Sequence, residues 1–250
     1  MIQRYPFLIF VLSLTGLWLS ALLGAYLGRL RPVEESERQD LNLVVSSSLT
    51  MLGLIIGFTF SMAVSRYDLR KNYEEEEANA IGTEYVRADL LPADDGAKVR
   101  QLLIQYLDQR MLFYTVRDEQ QLGSIGAQTT KLQNEMWSAV QGAVKGQPTP
   151  VAALAVAGMN DVLNRQGYTQ ASWWNRIPSE AWTLMIALAV CCSVLIGYSA
   201  HNRRTPLFII LPLLVAIAFF LIADIDSPRR GVIRVRPQNM ESLDSSLHGN

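Results

Sequence analysis

The sequence predicts an all-α membrane protein in which a helical cytosolic domain is inserted between the second and third of four transmembrane helices. Three observations carry this reading. Four stretches contain no Asp, Glu, Lys or Arg: residues 6–28, 41–65, 181–202 and 205–223. About 20 apolar residues rising roughly 1.5 Å each are enough to cross a bilayer core of about 30 Å, so each stretch qualifies. Residues 66–180 form a polar region long enough for a core of its own, with apolar residues at helical spacing and no strand-like alternation. The expected division is a first hairpin over 1–65, the helical domain over 66–180, a second hairpin over 181–223 and a C-terminal segment over 224–250.

The first span follows Arg4, as a secretory signal also would. Its apolar run exceeds the roughly 7–15 residues of a signal core and no clean small-x-small site follows, so an uncleaved helix is expected. The second span, from Leu41 to Ser65, runs without a break into RYDLRKNYEEEEANAIGTEYVRADLL, which has no proline before Pro92 and is rich in helix formers. One long helix is expected, followed by a turn at Pro92, Asp94, Asp95 and Gly96. Further helices follow from the spacing of Val99, Leu102, Leu103, Tyr106 and Leu107, of Ile125, Thr129, Leu132, Met136 and Val140, and of Val151, Leu154, Gly158 and Val162. GQPTP (146–150) separates the last two of these. Trp173 and Trp174 suggest a return to the headgroup level, and Pro178 suits the first turn of the third span. The last residues, ESLDSSLHGN, look loosely held, and GVIRV (231–235) reads as a short extended piece.

Orientation follows from the cations near the span ends. Arg4, Arg66, Arg70, Lys71, Arg176, Arg229, Arg230, Arg234 and Arg236 share one side, against Arg29, Arg31, Arg38, Arg203 and Arg204 on the other. Nine against five places both termini and the central domain in the cytoplasm. The formal net charge of −1 and the lack of a basic face disfavour a nucleic-acid partner. Cys191 and Cys192 are adjacent within a span and imply no disulfide framework. His201 and His248 lie in a short loop and near the tail, so no metal site, cofactor or catalytic group is expected.

Small residues recur four apart in two spans: Gly16, Ser20, Gly24 and Gly28 in the first, Gly53, Gly57, Ser61 and Ser65 in the second. Such stripes let helices pack closely in lipid, within one subunit or between subunits. Beside the second stripe lie Thr50, Leu54, Phe58 and Met62, also four apart. In an oligomer that face could line a pore whose apolar side chains gate by dewetting. Glu74, Glu75, Glu76 and Glu77 point almost all round a helix, with Arg70 and Lys71 one turn earlier, and their default is a solvated surface. In an oligomer Glu74 or Glu77 could instead form an ion-attracting ring, whereas Arg66 and Arg70 are candidates for drawing anions to a pore entrance. Anchoring at the membrane surface is the plainer role for Arg66.

GFTFSMAVSRYDLR (57–70), EANAIGTEYVRADLLP (77–92), NRIP (175–178) and DIDSPRRGVIRV (224–235) together resemble the bacterial bestrophin-like membrane family. More distantly the chain is similar to bestrophins, pentameric anion channels with four membrane helices per subunit and a helical cytosolic domain. Gly57, Phe58, Val64, Arg66 and Tyr67 resemble the run in the bestrophin second helix. That resemblance implies a pore constriction at Thr50, Leu54 and Phe58, with polar Thr50 standing where the bestrophin neck is apolar. Eukaryotic bestrophins hold calcium with a run of acids after the fourth helix; here there are only Asp224 and Asp226, with Arg229 and Arg230 close behind. Calcium needs about six to eight oxygen ligands, so ion pairs at the membrane interface are expected instead. The resemblance implies a homo-oligomer in the lipid bilayer that passes inorganic ions, anions favoured. The alternative is a non-conducting scaffold or sensor whose cytosolic domain binds a partner.

Overall fold

The structure, a computed structural model, describes residues 5–31, 36–146, 148–200 and 207–249. Its helices are α1 (Pro6–Leu30), α2 (Arg38–Arg87), α3 (Ala93–Thr115), α4 (Glu119–Gly146), α5 (Ala152–Trp174), α6 (Ser179–Ser199), α7 (Leu207–Asp226) and α8 (Gln238–His248), with a 3-10 turn at Ala88–Leu90. Among the described residues, four helical stretches, in α1, α2, α6 and α7, are long and apolar enough to cross a membrane. Arg4, His201, Arg203 and Arg204, used above for topology or site assignment, lie outside the described residues.

The chain divides into two compact units. One comprises residues 1–67 and 176–234, the other residues 68–175 and 235–250. Helix α2 contributes to both, its residues through Tyr67 to the first and those from Asp68 to the second.

In the membrane unit α1 packs on α6 and α7, and α6 on α7. Pro6 opens α1, where its missing donor costs nothing. Helix α6 starts just after Pro178, with Glu180 in its positively polarised first turn. Pro212 sits inside α7; apolar spans tolerate this because neighbouring groups can satisfy the freed carbonyl. The core gathers Trp182, Met185, Phe219 and Ile222 around Leu52 and Ala63 of α2.

In the other unit α3 packs on α4, α4 on α5 and α8 on α3. The turn after α2 falls earlier than the sequence suggests. Asp94 and Asp95 occupy the first turn of α3, where carboxylates suit the helix dipole, and Pro92 is its N-cap. Gly96 is needed inside that helix because a Cβ there would strike the carbonyl oxygen of Ala88. Trp173 is buried against Phe113 and Tyr114, ring centroids 4.9 and 5.4 Å away, whereas Trp174 beside it is 74% exposed. Residues 241–248, read above as loosely held, belong to α8, which buries Met240 and packs Leu243 on Gly82; Asn250 lies outside the described residues. Residues 231–235 carry no helix.

Candidate functional site

Helix α2 presents two unlike faces within the membrane unit. Leu52, Thr59 and Ala63 are buried, and Leu49, Ile55, Ile56, Val64 and Tyr67 pack beside them into the core. Their spacing of three and four is that of a helix stripe facing one neighbour set. Round the helix, Thr50, Leu54 and Phe58 are all exposed, Phe58 by 63%. The Thr50 hydroxyl donates to the carbonyl of Ser46 on its own helix, at 2.9 Å, so it does not leave an unmet donor on that face. Met62, one turn further, accepts a contact from Arg66 Nη2 at 3.8 Å, which holds the half-buried Arg66 guanidinium along the helix.

The small residues next to this row are open as well. A Cβ added at Gly53 or Gly57 would meet nothing within 4 Å, and Ser61 and Ser65 are exposed. Among the described residues the whole α2 stripe is therefore left uncovered. The matching stripe of α1 is used only at one end, and against α6 rather than α2. A Cβ at Gly24 would run into the Val194 carbonyl, with its carbon at 2.8 Å and the Tyr198 nitrogen at 2.9 Å. One at Gly28 would lie 2.7 Å from the Tyr198 oxygen. Gly197 answers from α6, where a Cβ would lie 2.8 Å from the Ala21 carbonyl carbon and 2.9 Å from the Ala25 nitrogen. Gly16 has nothing within 4 Å, and Ser20 spends its hydroxyl on the Gly16 carbonyl at 2.8 Å. Sequence reading passed over the α6 half of this crossing. Ala189, Ser193 and Gly197, again four apart, are the signal that identifies it.

The charges divide differently from expectation. Glu74 and Glu77 are buried, so the solvated-surface reading fails for them; Glu75 is exposed. Glu77 accepts from Arg110 through Nε and, at 3.3 Å, through Nη2, and from the Thr169 hydroxyl at 2.8 Å. Arg110 is buried too and lies 4.4 Å from the centroid of the Phe113 ring. Glu74 accepts from the backbone amides of Asn239 and Met240, both at 3.0 Å, and from Asn239 Nδ2 at 2.6 Å. It thereby caps the N-terminus of α8, whose first amides have no partner within the helix. Burial raises the Glu74 carboxyl above its ordinary range while these three donors pull it back. Arg70 is buried and donates to the carbonyls of Ser172 and Asn175, at 3.2 and 3.1 Å, at the negatively polarised end of α5. Glu76 pairs with Arg165 across two helices.

Two of the motif segments meet in the membrane unit. Asp226, in DIDSPRRGVIRV, accepts from the amide of Ile177, in NRIP, at 3.2 and 3.3 Å. Asp224 folds the same segment on itself by accepting from the amides of Val232 and Ile233 at 2.7 and 2.8 Å. Both carboxylates are buried. Through these contacts the two carboxylates order the backbone at the two ends of the second hairpin.

Glu84 was not singled out by the sequence. It is fully buried, both of its oxygens lack a hydrogen-bond partner, and it lies against Gly158 of α5. Burial pushes its carboxyl up to about 8, with Arg87 opposing the shift and Asp161 adding to it. Between the ordinary value of 4.5 and about 8 the folded chain holds a proton that the unfolded chain releases. Stability is therefore highest at the acid end of this window and falls as pH rises through it. Thermal unfolding of the protein in detergent at pH 5.5 and 8.5 checks this. Glu84→Gln is expected to flatten the pH dependence, and an unchanged slope contradicts the assignment.

Residues 12–240 match the bestrophin-like domain family. No curated protein matches the chain. Among solved structures it is similar to a bacterial bestrophin homologue from Klebsiella pneumoniae bearing a single substitution, at 12% identity over 96% of this chain and 100% of that one, with a TM-score of 0.65. A second singly substituted form of that homologue matches at 11% identity over 96% and 99%, TM-score 0.64. A structure described as a membrane protein matches at 11% identity over 96% and 99%, TM-score 0.66. At such identities these likenesses speak for the fold, and the family match covers most of the sequence. The chain belongs to the bestrophin-like domain family.

Proposed function

We propose that the protein is a passive ion channel, assembled from several copies of the chain around their α2 helices. Thr50, Leu54 and Phe58 line the constriction. Gly53, Gly57, Ser61 and Ser65 let the neighbouring copy's helix come close, and hydroxyl and backbone groups solvate the ion. The observation that carries this reading is the uncovered α2 face: these seven residues are all exposed in the single chain, while the opposite face is packed into the core. A helix that buries one stripe and leaves a small-residue stripe open is suited to a second helix of the same kind. Anions are the favoured cargo, by resemblance to bestrophins. The Glu77 carboxylate, which could have favoured cations in a vestibule, is committed to Arg110 and Thr169. Residues 68–175 and 235–250 form the cytosolic domain on this reading, with both termini on the same side of a bacterial inner membrane.

The mass of the detergent-purified protein tests the assembly. Light scattering is expected to give a multiple of the 28.0 kDa chain, fivefold for a pentamer. A protein mass of one chain contradicts the proposal, because one α2 cannot enclose a path.

A further inference from the structure

We propose that Glu84 is a proton-operated switch on the contact between α2 and α5. With its proton, the carboxyl stays packed against Gly158 and α5 is closed on α2. When the proton leaves, the carboxylate turns to the Arg87 guanidinium and the turns of α5 around Gly158 part from α2. This concerns residues 68–175 alone and holds whether or not α2 lines an ion path.

The contact is built round one glycine. A Cβ at Gly158 would stand 2.6 Å from Arg87 Nη1 and closer still to Glu84 Oε2, so the carboxyl and the guanidinium meet over the same backbone position. Among the described residues neither oxygen of Glu84 has a hydrogen-bond partner. The same stretch of α5 buries Ala155, Met159 and Val162. A carboxylate held there would be a buried charge that nothing solvates, so this packing admits the neutral acid. The charges acting on Glu84 are Arg87 of its own helix, which favours ionisation, and the exposed Asp161 of α5, which opposes it. On the 3-10 turn that packs against α5, Asp89 is taken up by Arg100 of α3. Arg87 is half-buried and three residues on from Glu84, a spacing at which helix side chains are neighbours. Side-chain rotation alone can therefore pair the two once Glu84 is charged.

Which part of α5 gives way depends on how the helix is fastened. Its C-terminal half is held by Thr169 on Glu77, by Arg165 on Glu76 and by Trp173 against Phe113 and Tyr114. At the other end Val151 and Leu154 are each 50% exposed, so those turns are packed on one side. Glu84 keeps its proton up to about 8. The closed arrangement binds the proton that the open one releases, so acid favours closure and opening sets in as pH rises through that value.

Hydrogen–deuterium exchange of the full-length protein in detergent, at pH 6.5 and 9 and corrected for the intrinsic rates, tests this. In the wild type, residues 152–162 are expected to lose about tenfold in protection at pH 9, the factor that one pH unit beyond the titration supplies, while 163–174 keep theirs. Glu84→Gln, which cannot ionise, keeps residues 152–162 equally protected at both pH values. Arg87→Gln removes the partner of the ionised form and moves the opening to higher pH, so protection at pH 9 rises toward its value at 6.5. Equal protection of 152–162 at both pH values in the wild type overturns the switch. So does a loss that survives Glu84→Gln, a loss spread evenly along α5, or an opening that Arg87→Gln leaves in place.

Discussion

Glu77→Leu is expected to lower the stability of the protein by about 3–5 kcal/mol, the usual cost of removing one partner from a buried ion pair. The loss arises on the other side of the contact. Arg110 has a guanidinium that is 1% exposed and cannot shed its charge, and without Glu77 it faces Phe113, Tyr106 and Tyr114 with no carboxylate. The Thr169 hydroxyl loses its acceptor at the same time. Because the cost is that of an orphaned charge, Glu77→Leu combined with Arg110→Leu is expected to be more stable than Glu77→Leu alone. Thermal or denaturant unfolding of the full chain in detergent distinguishes the cases. A double variant no more stable than the single one would show that Glu77 acts through something other than Arg110.

Gly24→Ala is the second large effect. The Val194 carbonyl carbon and the Tyr198 nitrogen lie within 2.9 Å of where its methyl would stand, and both are backbone atoms of a regular helix that cannot swing aside. The α1–α6 crossing must open, at a cost of at least the ~1–3 kcal/mol of ordinary overpacking. Gly16→Ala, eight residues earlier on the same helix, adds a methyl with nothing within 4 Å and is expected to stay within about 0.5 kcal/mol of the wild type. Melting temperatures of the two variants side by side are the check. Equal melting would remove the crossing as a determinant of the membrane unit.

Much of the architecture is written in local pattern. The candidate spans are charge-free runs of bilayer length, and α2 continues past its apolar stretch because nothing between Ser65 and Arg87 breaks a helix. What the pattern does not contain is partnership at long range. Four consecutive glutamates look solvated until Arg110, 33 residues on, closes over Glu77, and Asn239, 165 residues on, meets Glu74. Trp173 looks like a membrane anchor because its neighbours in sequence are near a span, whereas Phe113 and Tyr114 take it into a core. ESLDSSLHGN looks loosely held because the buried residue of its helix, Met240, precedes it and the helix start is held by Glu74. The small-residue stripes are visible at once, but spacing does not say which helix answers which. Gly24 meets α6, whereas Gly53 and Gly57 of the α2 stripe meet nothing within 4 Å among the described residues.

That open face is the centre of the functional account, and Phe58 is its largest exposed side chain. Planar-bilayer recording from the purified protein tests the account most directly. It predicts a passive conductance in chloride salt that rises when Phe58→Ala widens the constriction and relieves dewetting at that level. Absence of conductance in any salt, or a conductance unchanged by Phe58→Ala, would contradict an ion path along α2.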